Sequence, residues 1–141
     1  MTYELKTYAH FDSAHFLTDY HGKCENIHGH RWNVEVGILS ENLQTSGTEK
    51  DMVCDFGKFK KIVKEVVGDF DHTFLIEEGS LSVQTLKNLK EDGFSLTILP
   101  YRTTAENLAK DIFDRLEKTG LNVDYVQVSE TPNNVAVYAR S

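Results

Sequence analysis

Alternating apolar and polar residues near the start of the chain constrain its fold most strongly. The odd-numbered residues from Tyr3 to Phe11 are mostly apolar, and so are the even-numbered residues from Trp32 to Ile38. Because successive side chains of a strand point to opposite faces, each stretch predicts a β-strand with one buried face. Polar residues around positions 19–23 separate the two stretches. We therefore expect two strands that pair with each other.

Two amphipathic helices are predicted after these strands. The first follows the capping residue Asp55 and has apolar side chains at helical spacing from Phe56 to Phe70. The second begins at the capping box Thr103–Glu106, has an apolar stripe from Ala105 to Leu116, and stops at Gly120.

Shorter apolar patterns complete the chain. Val83, Leu86 and Leu89 predict a short extra helix, which precedes an apolar stretch at residues 94–99. Two further strands are predicted at residues 123–130 and 135–139. The main elements therefore run β-β-α-α-β-β. Since each main helix has a single apolar stripe, we expect an α+β sandwich with helices on one face of the sheet.

Length and composition limit the class of protein. The chain has 141 residues and no internal repeat, with 40% hydrophobic and 26% charged residues, which predicts a single domain over residues 1–141. A net charge of −7 disfavours a protein that coats nucleic acid or an anionic membrane. No stretch is apolar enough to cross a bilayer, and two cysteines are too few for a disulfide framework. We therefore expect a cytoplasmic protein.

Three histidines extend the apolar faces of the first two strands. His28 and His30 share the parity of Trp32, and His15 shares the parity of Phe11. Three neutral imidazoles at the ends of paired strands would make a zinc site with one open position. The alternative is a set of core histidines bonded to backbone carbonyls. Spacing alone favours neither interpretation.

The two cysteines lie in different surroundings. Cys24 is in a polar loop four residues before His28, and a nearby metal and histidines favour the reactive thiolate form. Cys24 is thus a candidate catalytic thiol, a fourth zinc ligand that would close the site, or an inert loop residue. Cys54 lies between Val53 and Asp55, and we expect it to be buried and structural.

Acidic residues and one further histidine are candidates for proton transfer and ligand binding. Asp71 precedes His72 directly after the first helix, so its carboxylate can orient the imidazole for general acid–base catalysis. The alternative is a solvated turn. Glu130 shares the parity of Val128 and could accept two N–H groups of a ligand, or be an exposed residue at a strand end. Helix capping already accounts for Thr103, Thr104 and Glu106.

Six segments in this order resemble the 6-pyruvoyl-tetrahydropterin synthase family. They are Phe11–His15, Cys24-x3-His28-Gly29-His30, Met52–Phe56, Phe70–His72, Thr103–Ala109 and Ser129–Thr131. The resemblance implies the tunnelling fold, in which a four-stranded antiparallel sheet carries two helices on one face. It also implies assembly into barrels, as a homohexamer made of two trimers with active sites between subunits.

The resemblance also implies a role for each matching residue. His15, His28 and His30 would bind Zn²⁺. Cys24 would be the catalytic thiol, with Asp71 and His72 as the proton relay. Glu130 would anchor the pterin ring within the catalytic centre, and Thr103, Thr104 and Glu106 would line the substrate pocket.

The short gap between Cys24 and His28 is similar to that in the bacterial 6-carboxy-5,6,7,8-tetrahydropterin synthases of queuosine biosynthesis. This implies zinc-dependent conversion of 7,8-dihydroneopterin triphosphate to 6-carboxytetrahydropterin, with release of acetaldehyde and triphosphate. The alternatives are 6-pyruvoyl-tetrahydropterin formation, another side-chain cleavage of dihydroneopterin, a non-catalytic zinc- and pterin-binding module, or a purely structural oligomer. Ile76, where many members have Asn, and residues 77–93 depart from the family pattern.

Overall fold

Two long strands form the centre of the fold. In the computed structural model, which describes residues 1–141, β1 (Tyr3–His15) and β2 (His28–Ser40) pair antiparallel over their full length. A single 3₁₀ turn, Lys23–Glu25, lies in the connection between them. Both strands appear where the alternation of apolar and polar residues predicts them, so this part of the prediction is confirmed.

The remaining elements are three helices and four further strands, and the strands extend the sheet on both sides of this pair. They are α1 (Phe56–Gly68), β3 (Thr73–Glu77), α2 (Val83–Glu91), β4 (Leu96–Leu99), α3 (Ala105–Glu117), β5 (Val123–Thr131) and β6 (Asn134–Ala139). The strand order in the sheet is β4-β3-β1-β2-β5-β6. The antiparallel part, β1-β2-β5-β6, contains the four predicted strands. No helix is long and apolar enough to span a membrane.

The prediction of four strands was wrong, because the sheet has six. β3 and β4 are parallel to each other, and β3 pairs in parallel with β1 at Ser13 and Ala14. Within β3, Leu75 and Ile76 are both fully buried although they face opposite sides of the sheet. A strand buried on both faces has no alternating pattern, so its sequence does not distinguish it from a loop or a helix end.

The hydrophobic core lies between one face of the sheet and two helices. Phe11 and Trp32 stack there with ring centroids 5.7 Å apart, and both are fully buried. α1 and α3 contribute most of the remaining core side chains, whereas α2 has no buried residue. The α+β class and the two helices packed on the sheet are therefore confirmed, and α2 is the predicted extra helix.

Both core helices begin with a side-chain cap. Asp55 accepts a hydrogen bond from the Lys58 amide at 3.0 Å, as the sequence predicts for α1. In α3 the cap is Thr104, which accepts from the Asn107 amide at 3.2 Å. The predicted capping box, in which Thr103 would be the cap, was therefore displaced by one residue. The side chain of Thr103 instead bonds within the fold, as described below.

Two glycines provide a matched test of the packing. A Cβ atom on Gly37 would overlap the ring of Tyr125, whose hydroxyl donates to Glu35 at 2.7 Å. We expect Gly37→Ala to lower the free energy of unfolding by about 1–3 kcal/mol. A Cβ atom on Gly68, at the end of α1, would meet no atom within 4 Å. Gly68→Ala should raise that free energy by up to about 1 kcal/mol.

Urea denaturation of both variants measures these changes. If Gly37→Ala unfolded at the same urea concentration as the unsubstituted protein, the close packing of Tyr125 on β2 would be contradicted.

Candidate active site

Three imidazoles meet at one end of the β1–β2 pair. His15 lies directly opposite His28 in the register, and His30 lies two residues further along β2 on the same face. One ligand nitrogen from each ring falls within 4.8 Å of the other two. The ring centroids of His15 and His28 are 4.5 Å apart, and those of His28 and His30 are 4.9 Å apart. The structure thus brings together the three histidines that share parity in the sequence.

Hydrogen bonds to carbonyl groups orient two of these rings. His15 Nδ1 donates to the Thr103 carbonyl at 2.8 Å, and His28 Nδ1 donates to the Asn26 carbonyl at 2.7 Å. A carbonyl oxygen can only accept, so the proton is on Nδ1 and the lone pair is on Nε2. Metal-binding histidines commonly donate their other ring N–H to a carbonyl in this way.

The remaining ring nitrogens separate the two interpretations left open by spacing. His15 Nε2 and His30 Nε2 are buried and have no hydrogen-bond partner. Histidines with a purely structural role would have their buried nitrogens paired, because an unpaired buried polar atom is costly. The unpaired nitrogens of converging rings therefore fit a metal ion as their missing partner.

Burial also keeps His15 and His30 in the neutral form that a metal requires. Loss of solvation lowers the pKa of His15 to about 4, and the neighbouring His28 and His30 act in the same direction. Loss of solvation likewise lowers the pKa of His30, although the charge of Glu130 partly opposes this effect. Because a metal binds only the unprotonated ring, the site is ready for a metal at neutral pH.

Cys24 is not part of this group. The residue is partly buried in the 3₁₀ turn, and its carbonyl accepts from the Leu17 amide at 2.7 Å. The nitrogens that lie within 4.8 Å of one another come from the three histidines alone, so the structure does not bring the Cys24 sulfur into the ligand group. The geometry therefore does not support Cys24 as a fourth metal ligand.

Cys54 is partly buried rather than fully buried as predicted. It precedes Asp55, the residue that caps α1. Loss of solvation raises the pKa of the Cys54 thiol, and the charges of Glu49 and Asp55 raise it further. Little of this thiol is therefore thiolate at neutral pH.

Asp71 and His72 form a close side-chain pair that β1 holds in place. His72 Nδ1 lies 3.0 Å from Asp71 Oδ2, and Asp71 Oδ1 accepts from the Asp12 amide at 2.8 Å. The His72 amide donates to the Asp12 carbonyl at 2.8 Å. His72 has a φ of 56°, which is uncommon outside glycine and marks a constrained backbone. The amide of Asp12 is the main cause of the lowered pKa of Asp71.

The sequence did not single out the ion pair next to this dyad. Arg31 donates to both carboxylate oxygens of Asp12, at 2.9 and 3.0 Å. The pair lowers the pKa of Asp12, mainly through the hydrogen bond from Arg31. Asp12 and Arg31 lie directly opposite each other in the β1–β2 register. An antiparallel register that pairs His15 with His28 also pairs Asp12 with Arg31, so that assumption would have predicted this contact from the sequence.

A second unpredicted contact holds the segment between His15 and Cys24. The guanidinium of Arg102 donates to the Thr18 carbonyl, and the Thr18 hydroxyl donates to Glu77 at 2.6 Å. Residues near the start of α3 and the end of β3 thus fix the chain that leads to the 3₁₀ turn. This network makes Arg102 part of the support of the site.

The other predicted site residues divide between two cavities. His30 and His72 both line a cleft of about 670 Å³ whose other walls are mostly apolar. Glu106 and Glu130 share a separate cavity of about 460 Å³ beside β6. Thr103 and Thr104 line neither cavity. The Thr103 hydroxyl lies 3.1 Å from His15 Nδ1 and 3.3 Å from the Phe16 carbonyl.

Comparison with known proteins identifies the family. The sequence profile described as 6-pyruvoyl tetrahydropterin synthase matches residues 4–141. The chain belongs to this family. A relative from Haemophilus influenzae, named 6-carboxy-5,6,7,8-tetrahydropterin synthase, is 39% identical over 91% of this chain and 92% of its own length. A relative of the same name from Aquifex aeolicus is 36% identical over 82% of this chain and 75% of its own length.

Solved structures of the 6-pyruvoyl tetrahydropterin synthase family share the fold. The Caenorhabditis elegans 6-pyruvoyl tetrahydropterin synthase is 25% identical, with a TM-score of 0.69 over 100% of this chain and 97% of that chain. The Plasmodium falciparum enzyme is 24% identical, with a TM-score of 0.73 over 99% of this chain and 98% of that chain. The family membership and the fold predicted from the sequence are confirmed.

The low pKa of His15 predicts how stability depends on pH when no metal is bound. Between about pH 4 and 6.5 the unfolded chain binds a proton at His15 that the folded chain does not. Stability should therefore fall as the pH falls through this range, by on the order of 3 kcal/mol for this residue. Urea denaturation after chelation, at pH 7 and pH 4.5, measures the change.

The control is His15→Gln, which has no group that titrates in this range. Its stability should depend less steeply on pH than that of the unsubstituted protein. Equal pH dependence of the two proteins would show that His15 is not the group responsible.

Proposed function

We propose that this protein is a 6-carboxy-5,6,7,8-tetrahydropterin synthase. It converts 7,8-dihydroneopterin triphosphate and water to 6-carboxytetrahydropterin, acetaldehyde and triphosphate. The main support is the family membership together with relatives of this name that are 39% and 36% identical over most of the chain. The three-residue gap between Cys24 and His28 favours this product over 6-pyruvoyl-tetrahydropterin.

The metal in this proposal is Zn²⁺, held by His15, His28 and His30. The buried, unpaired Nε2 atoms of His15 and His30 and the neutral state of both rings support this assignment. Three imidazole ligands leave one position for substrate, as in catalytic zinc sites. Bound zinc would supply Lewis acidity toward the hydroxyl groups of the substrate side chain.

The chain itself supplies the groups that move protons. In the proposal, Cys24 as thiolate removes a proton from a side-chain carbon of the substrate. Asp71 Oδ2 lies 3.0 Å from His72 Nδ1, so Nε2 is the nitrogen that would return a proton. Glu130 accepts N–H groups of the pterin ring, and Glu106 lies in the same cavity. Thr103 and Thr104 act by holding His15 and the start of α3.

Assembly into a hexamer is also proposed, because the sheet has open edges. β3 covers β1 only at Ser13 and Ala14, so the outer edge of β1 from Tyr3 to Phe11 is unpaired, and β6 is the opposite edge. Open edges favour pairing with another strand. Joining β1 of one copy to β6 of the next would bring the cavity of Glu130 beside the Asp71–His72 dyad of its neighbour.

Sedimentation velocity tests this proposal. We expect a hexamer at micromolar concentration, with no stable monomer. A monomer under those conditions would contradict the proposal.

The proposal places the enzyme in the cytoplasm, in queuosine biosynthesis. Its two free thiols suit a reducing compartment. Its partner is the small pterin triphosphate rather than a nucleic acid or a membrane, in keeping with the net charge of −7.

Product analysis tests the function directly. Zinc-loaded protein is incubated with 7,8-dihydroneopterin triphosphate, and the pterin products are identified by mass spectrometry. We expect 6-carboxytetrahydropterin and an equal amount of acetaldehyde. His28→Ala should lose most of its zinc and its turnover while it remains folded, because His28 lies at a strand end outside the core.

Two other outcomes would each support an alternative function. Formation of 6-pyruvoyl-tetrahydropterin would replace the proposed reaction with the alternative one. Binding of pterin without turnover would support a non-catalytic module.

The two cysteines form an internal control for the proposed proton transfer. Iodoacetamide should alkylate Cys24 faster than Cys54 at pH 7, because burial and carboxylates raise the pKa of Cys54. Cys24→Ala should abolish turnover and keep its zinc, whereas Cys54→Ala should keep its activity and lose some stability. Mass spectrometry of the alkylated peptides and metal analysis provide the measurements. Loss of zinc from Cys24→Ala would make the thiol a ligand, and full activity would exclude it as the base.

A further inference from the structure

The side chain of Arg115 on α3 reaches the turn that carries the Asp71–His72 dyad. Its guanidinium carbon lies 4.7 Å from the centroid of the Phe70 ring, and Nη1 donates to Asp69 Oδ2 at 3.5 Å. Asp69 and Phe70 directly precede the dyad in the chain. One partly buried arginine thus contacts both residues that lead into the proposed proton relay.

A second set of contacts fixes the guanidinium itself. Asp111, one helical turn before Arg115, accepts from Nε at 2.8 Å and from Nη2 at 3.3 Å. The Tyr101 hydroxyl donates to the same carboxylate. A planar guanidinium held through two of its nitrogens has a fixed orientation, so it can hold other groups in place. Since Tyr101 lies two residues before Thr103, whose carbonyl orients His15, the network joins the support of this histidine to the turn of the dyad.

The turn needs support from outside, because its own backbone is constrained. His72 has a φ of 56°, a conformation that persists only where the surrounding structure holds it. Asp12 of β1 holds one side of the turn, and Phe70 packs on Phe11 with ring centroids 5.5 Å apart. Arg115 supports the turn from α3. The orientation of the dyad therefore depends on contacts from both β1 and α3.

Stability alone gives little reason for this arrangement. The carboxylate of Asp69 is mostly exposed, and ion pairs with exposed carboxylates contribute little to folding. By contrast, displacing a reacting group by about 1 Å can lower a reaction rate about a hundredfold. The contacts of Arg115 therefore matter more for the position of His72 than for the stability of the fold.

We propose that Arg115 is a positioning residue that holds the Asp71–His72 dyad in the orientation for proton transfer. The inference rests on the proposed function, in which His72 returns a proton to the substrate. Arg115 acts through Asp69 and Phe70, and it lines neither the cleft of His30 nor the cavity of Glu130. Its replacement should therefore leave metal and substrate binding intact and slow the proton transfer.

The test compares two matched substitutions on α3. Arg115→Gln removes the guanidinium. Lys110→Gln is the control, because Lys110 also pairs with an aspartate four residues later, at 2.7 Å, and also lies over an aromatic ring, that of Tyr138 on β6. For Arg115→Gln we expect kcat to fall about tenfold to a hundredfold, with unchanged KM and zinc content. Lys110→Gln should keep its kcat.

An unchanged kcat in Arg115→Gln, or an equal fall in Lys110→Gln, would overturn the proposal. Circular dichroism at the assay temperature gives the folded fraction, so that a loss of folded protein is not counted as a fall in kcat. If Arg115→Gln does not fold, Arg115→Lys keeps the charge beside Asp111 and loses the planar group over Phe70. That variant should show a smaller fall in kcat, again at unchanged KM, and an unchanged kcat would count against the proposal.

A spectroscopic measurement separates this proposal from the proposed function. NMR spectra of zinc-loaded protein with isotope-labelled histidine report on each imidazole without substrate, and His72→Gln identifies the His72 signal. This signal should shift in Arg115→Gln but not in Lys110→Gln, while the signals of the three metal-binding histidines stay unchanged. A shift confined to His72 would support the positioning role even if no pterin is turned over. An unchanged His72 signal would overturn that role and leave the proposed function standing.

Discussion

In the register between β1 and β2, Phe11 lies opposite Trp32 and His15 lies opposite His28. The first pair stacks in the core, and the second pair begins the histidine cluster on the same face. A shift of the pairing by one residue would move one strand's side chains to the other face of the sheet. The burial of Trp32, which is fully enclosed, therefore also fixes the positions of the histidines.

Burial gives the histidines their chemistry. Removing His15 and His30 from water disfavours their charged forms, while backbone carbonyls orient the rings of His15 and His28. Two buried ring nitrogens without partners cost about 1–3 kcal/mol each, which a metal ligand bond would offset. A group that binds only the folded chain stabilises it, so the site and the fold are energetically linked.

The charges around the site are separated by sign. The cavity beside β6 contains Glu106 and Glu130, whereas the cleft beside α1 contains Lys60 and Lys64. A pterin triphosphate has N–H donors at its ring and phosphate oxygens at the end of its side chain. Carboxylates suit the first end. Asp71 borders the basic cleft.

The sequence alone determined the strands and helices with regular periodicity and placed His15, His28 and His30 on buried faces. It did so because periodicity depends only on neighbouring residues. The tertiary structure decided what depends on pairing between distant segments. β3 is buried on both faces and has no alternation to reveal it, β4 alternates over only a few residues, and the contact of Asp12 with Arg31 exists only in one register. The cleft that joins α1 to the edge of β1 likewise requires the packing of the helix on the sheet.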